Sequence, residues 1–246
     1  MNKYSANPAL FIGSYLRKLI TEYVIHVKTS LQANPQKWLR ILSIATCLLL
    51  AKVFVTILIE YSNYFPPNFA AAFLVGRHDY FWDYYWLAFY IHIVASPVVL
   101  IICTWQLWSA RRGQRAKLHP VTGILQAVLT VVLVVPSGIV LSYWARAGIL
   151  ASAGFSCQSI VLLAATITSV WNAAHGNSVR HRYWAIVTWI LLCSPLLFRV
   201  ATGVAIVIGG ETVLFFQLNA WLSWIIPLLL FQHYWARVGD FRSRMA

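Results

Sequence analysis

Six apolar stretches, near residues 39–60, 86–108, 119–142, 152–173, 184–208 and 211–235, constrain this chain more than any other feature. As helices rising about 1.5 Å per residue, each is long enough to cross the roughly 30 Å hydrocarbon core of a bilayer. Composition agrees. The chain is 60% hydrophobic and 10% charged, against roughly 25% charged in a soluble domain. That leaves too little polar surface to cover a water-soluble globule. The expected fold is therefore all-α, an integral membrane bundle of about six transmembrane helices. Tyr84-Tyr85-Trp86, Tyr143-Trp144, Tyr183-Trp184 and Tyr234-Trp235 mark several ends of these spans, since amphipathic rings prefer the headgroup level.

The net charge of +13 is not a nucleic-acid footprint, because it sits in short clusters between the apolar runs. Lys3, Arg17, Lys18, Lys28 and Lys37 precede the first span. Arg111, Arg112, Arg115 and Lys117 fall in the second connection, Arg180 and Arg182 in the fourth, and Arg237, Arg242 and Arg244 at the C-terminus. The first, third and fifth connections hold only Arg77 and Arg146. Basic loops are retained on the cytoplasmic side, so both termini are expected there, in a bacterial plasma (inner) membrane. The lipid bilayer is the first expected partner, and no nucleic acid is expected.

Three segments follow: a cytoplasmic N-terminal segment over 1–38, the six-helix domain over 39–235, and a basic tail over 236–246. Within the first, Ile12, Leu16, Leu19, Ile20, Tyr23, Val27 and Leu31 recur at helical spacing. They predict an amphipathic helix over 9–31 that lies on the inner leaflet or docks a partner subunit. No removable signal peptide is recognised. Cys47, Cys103, Cys157 and Cys193 fall inside apolar runs without metal spacing and read as small buried hydrophobes.

Polar residues inside the spans are costly and usually face the protein interior. Lys52, His92 and Arg199 lie at similar depth, roughly 9–14 Å below the outer surface at about 1.5 Å per residue. Gln158, Gln217 and Asn219 fall at the same level. Thr188, Pro195 and Thr202 share the face of Arg199, and Ser96 and Cys103 share that of His92. The expectation is an outer-half polar layer of Lys52, His92, Ser96, Gln158, Arg199 and Asn219, able to take an anionic or quinone-like ligand. Arg199 should point inward, toward His92 and Ser96. Lys52 has the alternative of snorkelling to the interface. Arg199 has the alternatives of pairing with Glu211 or with helix-end carbonyls.

On the inner side, His119 opens the third span, His181 precedes the fifth and His175 follows the fourth. Histidines at one level on two helices suit a haem b iron held between two imidazoles. Loop-edge histidines contacting water or lipid phosphate are the plainer reading. No nucleophile elbow, phosphate loop, HExxH or paired intramembrane carboxylates occur, so an independent catalytic activity is not expected.

Several stretches occur in an order that resembles an uncharacterised group of bacterial multi-span proteins, the domain-of-unknown-function 2306 family. They are Gly76-Arg77-His78-Asp79-Tyr80-Phe81, Ala88-Phe89-Tyr90-Ile91-His92-Ile93, Leu118-His119 with Gly123, Pro136-Ser137-Gly138, His181-Arg182-Tyr183-Trp184 and the Arg199 region. The resemblance covers residues 60–235. It implies a multi-helix membrane protein and carries over no activity. Pro120 after His119 and Tyr183 after Arg182 depart from that pattern, which has arginines there.

The reading is a multi-pass protein of binding or accessory type, one version being a haem- or quinone-associated subunit of a membrane redox complex. A small-solute or ion transporter and a purely structural subunit with partner membrane subunits are the alternatives. Pro97, Pro136, Pro195 and Pro227 interrupt four spans, but no internal repeat accompanies them, as transport would favour.

Overall fold

The computed structural model describes residues 21, 35–71, 73–111 and 118–245. Among them there is no strand. Six helical stretches are long and apolar enough to span a membrane: Gln36–Asn63, His78–Ala110, His119–Tyr143, Ile149–Ala174, Ser178–Val207 and Val213–Arg237. The expected amphipathic helix over 9–31 lies outside the described residues.

The chain divides into two compact units, Met1–Lys52 and Val53–Ala246. Helix α1 (Pro35–Glu60) crosses that division. In the first unit both Lys52 and Cys47 are exposed. Cys47 therefore departs from the expected buried thiol, as a small apolar group that fits a lipid-facing surface equally well.

In the second unit, helix α2 (Trp86–Arg111) is entered through a single turn, His78–Tyr80, and a wide turn, Phe81–Tyr85. The second span thus begins earlier than its apolar run. Asp79 and Asp83 give this stretch the look of an open loop, yet both are exposed while Phe81, Tyr85 and Phe89 are buried together with Tyr64 and Leu74. Ring burial organises the stretch, and the backbone kinks at Asp83 (φ −70°, ψ −109°) to allow it.

The third span is composite. Helix α3 (His119–Leu129) passes through a wide turn at Thr130–Val134 into α4 (Val135–Tyr143). Pro136 sits just past that turn, where a ring without an N–H cannot continue the regular ladder. Helices α5 (Ile149–Ala174) and α6 (Ser178–Val207) are joined by a short turn. Gly176 adopts φ +72° there, a conformation that strains other residues. The Asn177 side chain then caps α6 by accepting from the Arg180 amide at 3.1 Å. Helix α7 (Val213–Met245) closes the bundle and carries the expected C-terminal tail as continued helix.

The core is Val99 and Cys103 of α2, Val135 of α4, Leu162 and Ala165 of α5, Val187 and Leu191 of α6, and Trp224 and Leu228 of α7. Large apolar side chains such as Ile149, Val207 and Leu230 are exposed, as expected where the solvent is lipid. Short connections make successive spans antiparallel. The turns at 73–77, 144–148 and 208–212 therefore lie at one end, the wide-loop end, and His119 and the 175–177 turn at the other, the basic end.

Two prolines explain two inter-helix bonds. Pro97 and Pro195 cannot donate to the carbonyls four residues back, those of Ile93 and Leu191. The Tyr61 hydroxyl donates to Ile93. Gln158 Nε2 donates to the Leu191 carbonyl at 3.2 Å and also to the Ser194 hydroxyl. Each freed acceptor is recovered by a side chain from elsewhere in the bundle, as a low-dielectric environment demands. Because the Ser194 hydroxyl also donates to Leu191, at 2.8 Å, Gln158→Leu should lower stability by only about 1 kcal/mol. A denaturing-detergent titration measures this, with membrane insertion expected to be unchanged.

Candidate functional site

The outer-half residues expected to converge instead join separate pairs of helices. His92 Nδ1 lies 3.1 Å from Ser137 Oγ, linking α2 to α4. The Ser137 hydroxyl also lies within donating distance of the Leu133 carbonyl at 2.5 Å and the Val134 carbonyl at 3.2 Å. Gly138 makes this approach possible, since a Cβ there would come within 3.3 Å of His92 Cε1 and 3.2 Å of Ser159 Oγ. Gln158 ties α5 to α6 as described. Asn219 Nδ2 ties α7 to α6, donating to the Phe198 carbonyl at 3.0 Å and to Thr202 Oγ1 at 3.3 Å. Gln217 donates to the Ala147 carbonyl at 2.9 Å. Ser96 Oγ is buried and has no partner. Lys52 is an exposed residue of the Met1–Lys52 unit.

Arg199 corrects an expectation. It is exposed rather than turned into the bundle against His92. Thr188 does share its face and is 2% exposed. At that level α2 covers α6, with Trp189 Nε1 donating to Thr104 Oγ1 at 3.0 Å. About three turns further on Arg199 is exposed, although Thr202 on the same face is half-buried and accepts from Asn219 of α7. Helical periodicity fixes a direction but not how far a neighbour's cover extends. The Arg199 guanidinium lies within electrostatic reach of Tyr64, whose phenol is held above its usual range by burial while Arg199 acts the other way.

At the basic end, His119 of α3 and His181 of α6 do come together. Their ring centroids are 6.4 Å apart and their planes stand at 86°. His181 Nδ1 lies 3.0 Å from the Ser169 carbonyl and 3.2 Å from Ser169 Oγ. A carbonyl only accepts, so Nδ1 carries the proton, and the neutral ring keeps its lone pair on Nε2. A metal-ligating histidine is oriented by this kind of bond. His175 is separate: its Nδ1 donates to the Trp171 carbonyl at 2.8 Å and its ring stacks on Trp171 at 4.3 Å.

The donor set limits what this pair could hold. Among the described residues, no three His, Cys, Asp or Glu side chains form a metal-holding group. A haem brings four nitrogen ligands of its own and asks the protein for two. His119 and His181 are the two side chains that would supply them.

A family described as "Predicted membrane protein (DUF2306)" matches residues 89–235, more than half of the chain. The chain belongs to this family. No curated protein and no solved structure matches it. The DUF2306 stretch contains His92, Ser96, His119, Gln158, His181, Arg199 and Asn219, and leaves out Lys52 and the Gly76–Phe81 segment. Sequence reasoning named Ser137 only within the Pro136-Ser137-Gly138 stretch and passed over Ser169, whose carbonyl fixes the His181 tautomer in this DUF2306 chain. A single serine in an apolar run carries no signal until its neighbour is known. It also passed over the pairing of Arg77 with Arg146, although these two stand alone as the basic residues of their connections.

Proposed function

We propose that this protein is a membrane binding or accessory protein of the haem-associated kind, with His119 and His181 as the two axial ligands of a b-type haem at the basic end. The observation that carries this reading is the spacing of the two imidazoles, 6.4 Å between centroids, together with the proton that the Ser169 carbonyl holds on His181 Nδ1. Such a haem would supply one-electron chemistry. The chain's own part is to hold both rings, with the Ser169 carbonyl fixing the His181 Nδ1 proton. Protein purified from cells grown with ample haem should show a b-type Soret and α band, and a colourless, folded preparation would remove the proposal. The polar layer offers weaker support for a quinone-like or transported ligand, because Gln158 and Asn219 spend their donors on neighbouring helices.

The proposed setting is a bacterial plasma membrane with both termini in the cytoplasm, on the strength of the Lys and Arg asymmetry. On a background without the native cysteines, Asn68→Cys should react with an impermeant thiol reagent added outside, and His175→Cys should not. The opposite pattern would invert the orientation.

A further inference from the structure

The wide-loop end holds two arginines, Arg77 and Arg146, that form no ion pair with an acid among the described residues. Arg77 is 5% exposed, with its guanidinium carbon 4.5 Å above the Phe73 ring and 5.9 Å from that of Tyr85. Its Nη1 donates to the Phe73 carbonyl. Arg146, which is exposed, donates through Nη2 to the Val75 carbonyl and, at 3.4 Å, to the same Phe73 carbonyl. Two guanidiniums thus share one acceptor. Burial, and then the charge of Arg77, push the Arg146 pKa below its usual value.

The nearby acids do not answer this charge. Asp79 is exposed and lies 3.6 Å from His78 Nδ1. Asp83 is exposed, and Glu60 accepts from Asn63 at 3.3 Å. Meanwhile Arg77 Nε and Trp144 Nε1 are buried without hydrogen-bond partners, as is the Tyr85 hydroxyl, which lies close enough to Arg77 to interact with it. Trp144 stacks on Tyr80 at 4.0 Å, and Tyr80 packs against Tyr85 at 5.5 Å, so these unmet groups belong to one cluster. A buried arginine with an idle donor beside a second, accessible arginine lacks an anion.

We infer that Arg77 and Arg146 form an oxyanion site for a phosphate group, with Arg146 as the contacting fork and Arg77 as the fixed charge behind it. Guanidinium geometry matches phosphate oxygens in pairs. The exposed rings of Tyr84, Trp86 and Tyr143 put the site at headgroup level, where phosphate arrives on a phospholipid or free from solution.

Thermal unfolding of the full chain in uncharged detergent tests this, with phosphatidylglycerol, inorganic phosphate and phosphate-free diacylglycerol as probes. Phosphatidylglycerol should raise the midpoint by several degrees, and diacylglycerol should not. An equal rise with inorganic phosphate assigns the site to a free oxyanion, and none assigns it to the lipid. Arg146→Gln should lose the rise, and Arg146→Lys, which keeps charge without the fork, should keep a reduced one. No rise with either phosphate source, or an undiminished rise in both variants, overturns the inference.

Discussion

Replacing His181 with alanine is expected to leave a folded protein that has lost its b-type absorption entirely. His119 and His181 would be the two side chains that hold the group, and among the described residues no third histidine forms a cluster with them. His119→Ala should do the same from the other face. His92→Ala is the informative control. Its ring belongs to the α2–α4 contact with Ser137, so the spectrum should survive while stability falls by about 1 kcal/mol or more for the lost inter-helix bond and packing. Ser169→Ala removes the side-chain oxygen but not the carbonyl that fixes the Nδ1 proton, so the band should persist. Absorption and pyridine haemochrome assays on the purified variants measure all four. Haem retained at wild-type level in both His119→Ala and His181→Ala would show that the paired rings are only neighbours.

How much of this was readable in advance depends on which force decides each feature. Span number and extent follow from hydrophobicity, which is local and additive, so five spans fall within a few residues of their apolar runs, apart from an earlier helical start at Ser178. The second span escaped because Asp79 and Asp83 signal a loop, while burial of Phe81 and Tyr85 against Tyr64 and Leu74 depends on chain far off in sequence. The polar layer shows the same division. Depth arithmetic placed Gln158 and Asn219 at one level, and both are interior. It could not say that Gln158 would take the carbonyl freed by Pro195. The Arg199 error came from treating a shared helical face as a shared environment. The histidine pair was legible as a level and not as a contact, because two helix starts at one depth can be neighbours or stand across the bundle from each other.

Gly154→Ala should be among the most damaging single-methyl additions in the chain. Gly154 is buried in α5. A Cβ there would lie 3.0 Å from Trp221 Nε1, 3.1 Å from Trp221 Cδ1 and 3.1 Å from the backbone carbonyl of Ala220, all on α7. Such approaches are tighter than nine in ten real Cβ contacts, so a neighbour has to give by a few tenths of an ångström. The Ala220 oxygen is part of the α7 backbone and has no rotamer to change. The Trp221 ring is held as well, because Nε1 donates to the Leu150 carbonyl at 3.0 Å. The remaining response is to separate α5 from α7 by a few tenths of an ångström along their contact. Between helices in lipid, close packing is the principal attraction and small residues are what permit it. Overpacking of this kind costs about 1–3 kcal/mol, and Gly154→Leu, with three further carbons to place, should cost more. Gly203 provides the comparison. Nothing lies within 4 Å of its would-be Cβ, so Gly203→Ala meets no obstacle and gains up to about 1 kcal/mol of helix propensity. Denaturing-detergent midpoints for the two alanine variants should therefore move in opposite directions. Equal midpoints would mean that the α5–α7 contact is looser than its distances indicate, and that α7 is held chiefly by Asn219 and Gln217 instead.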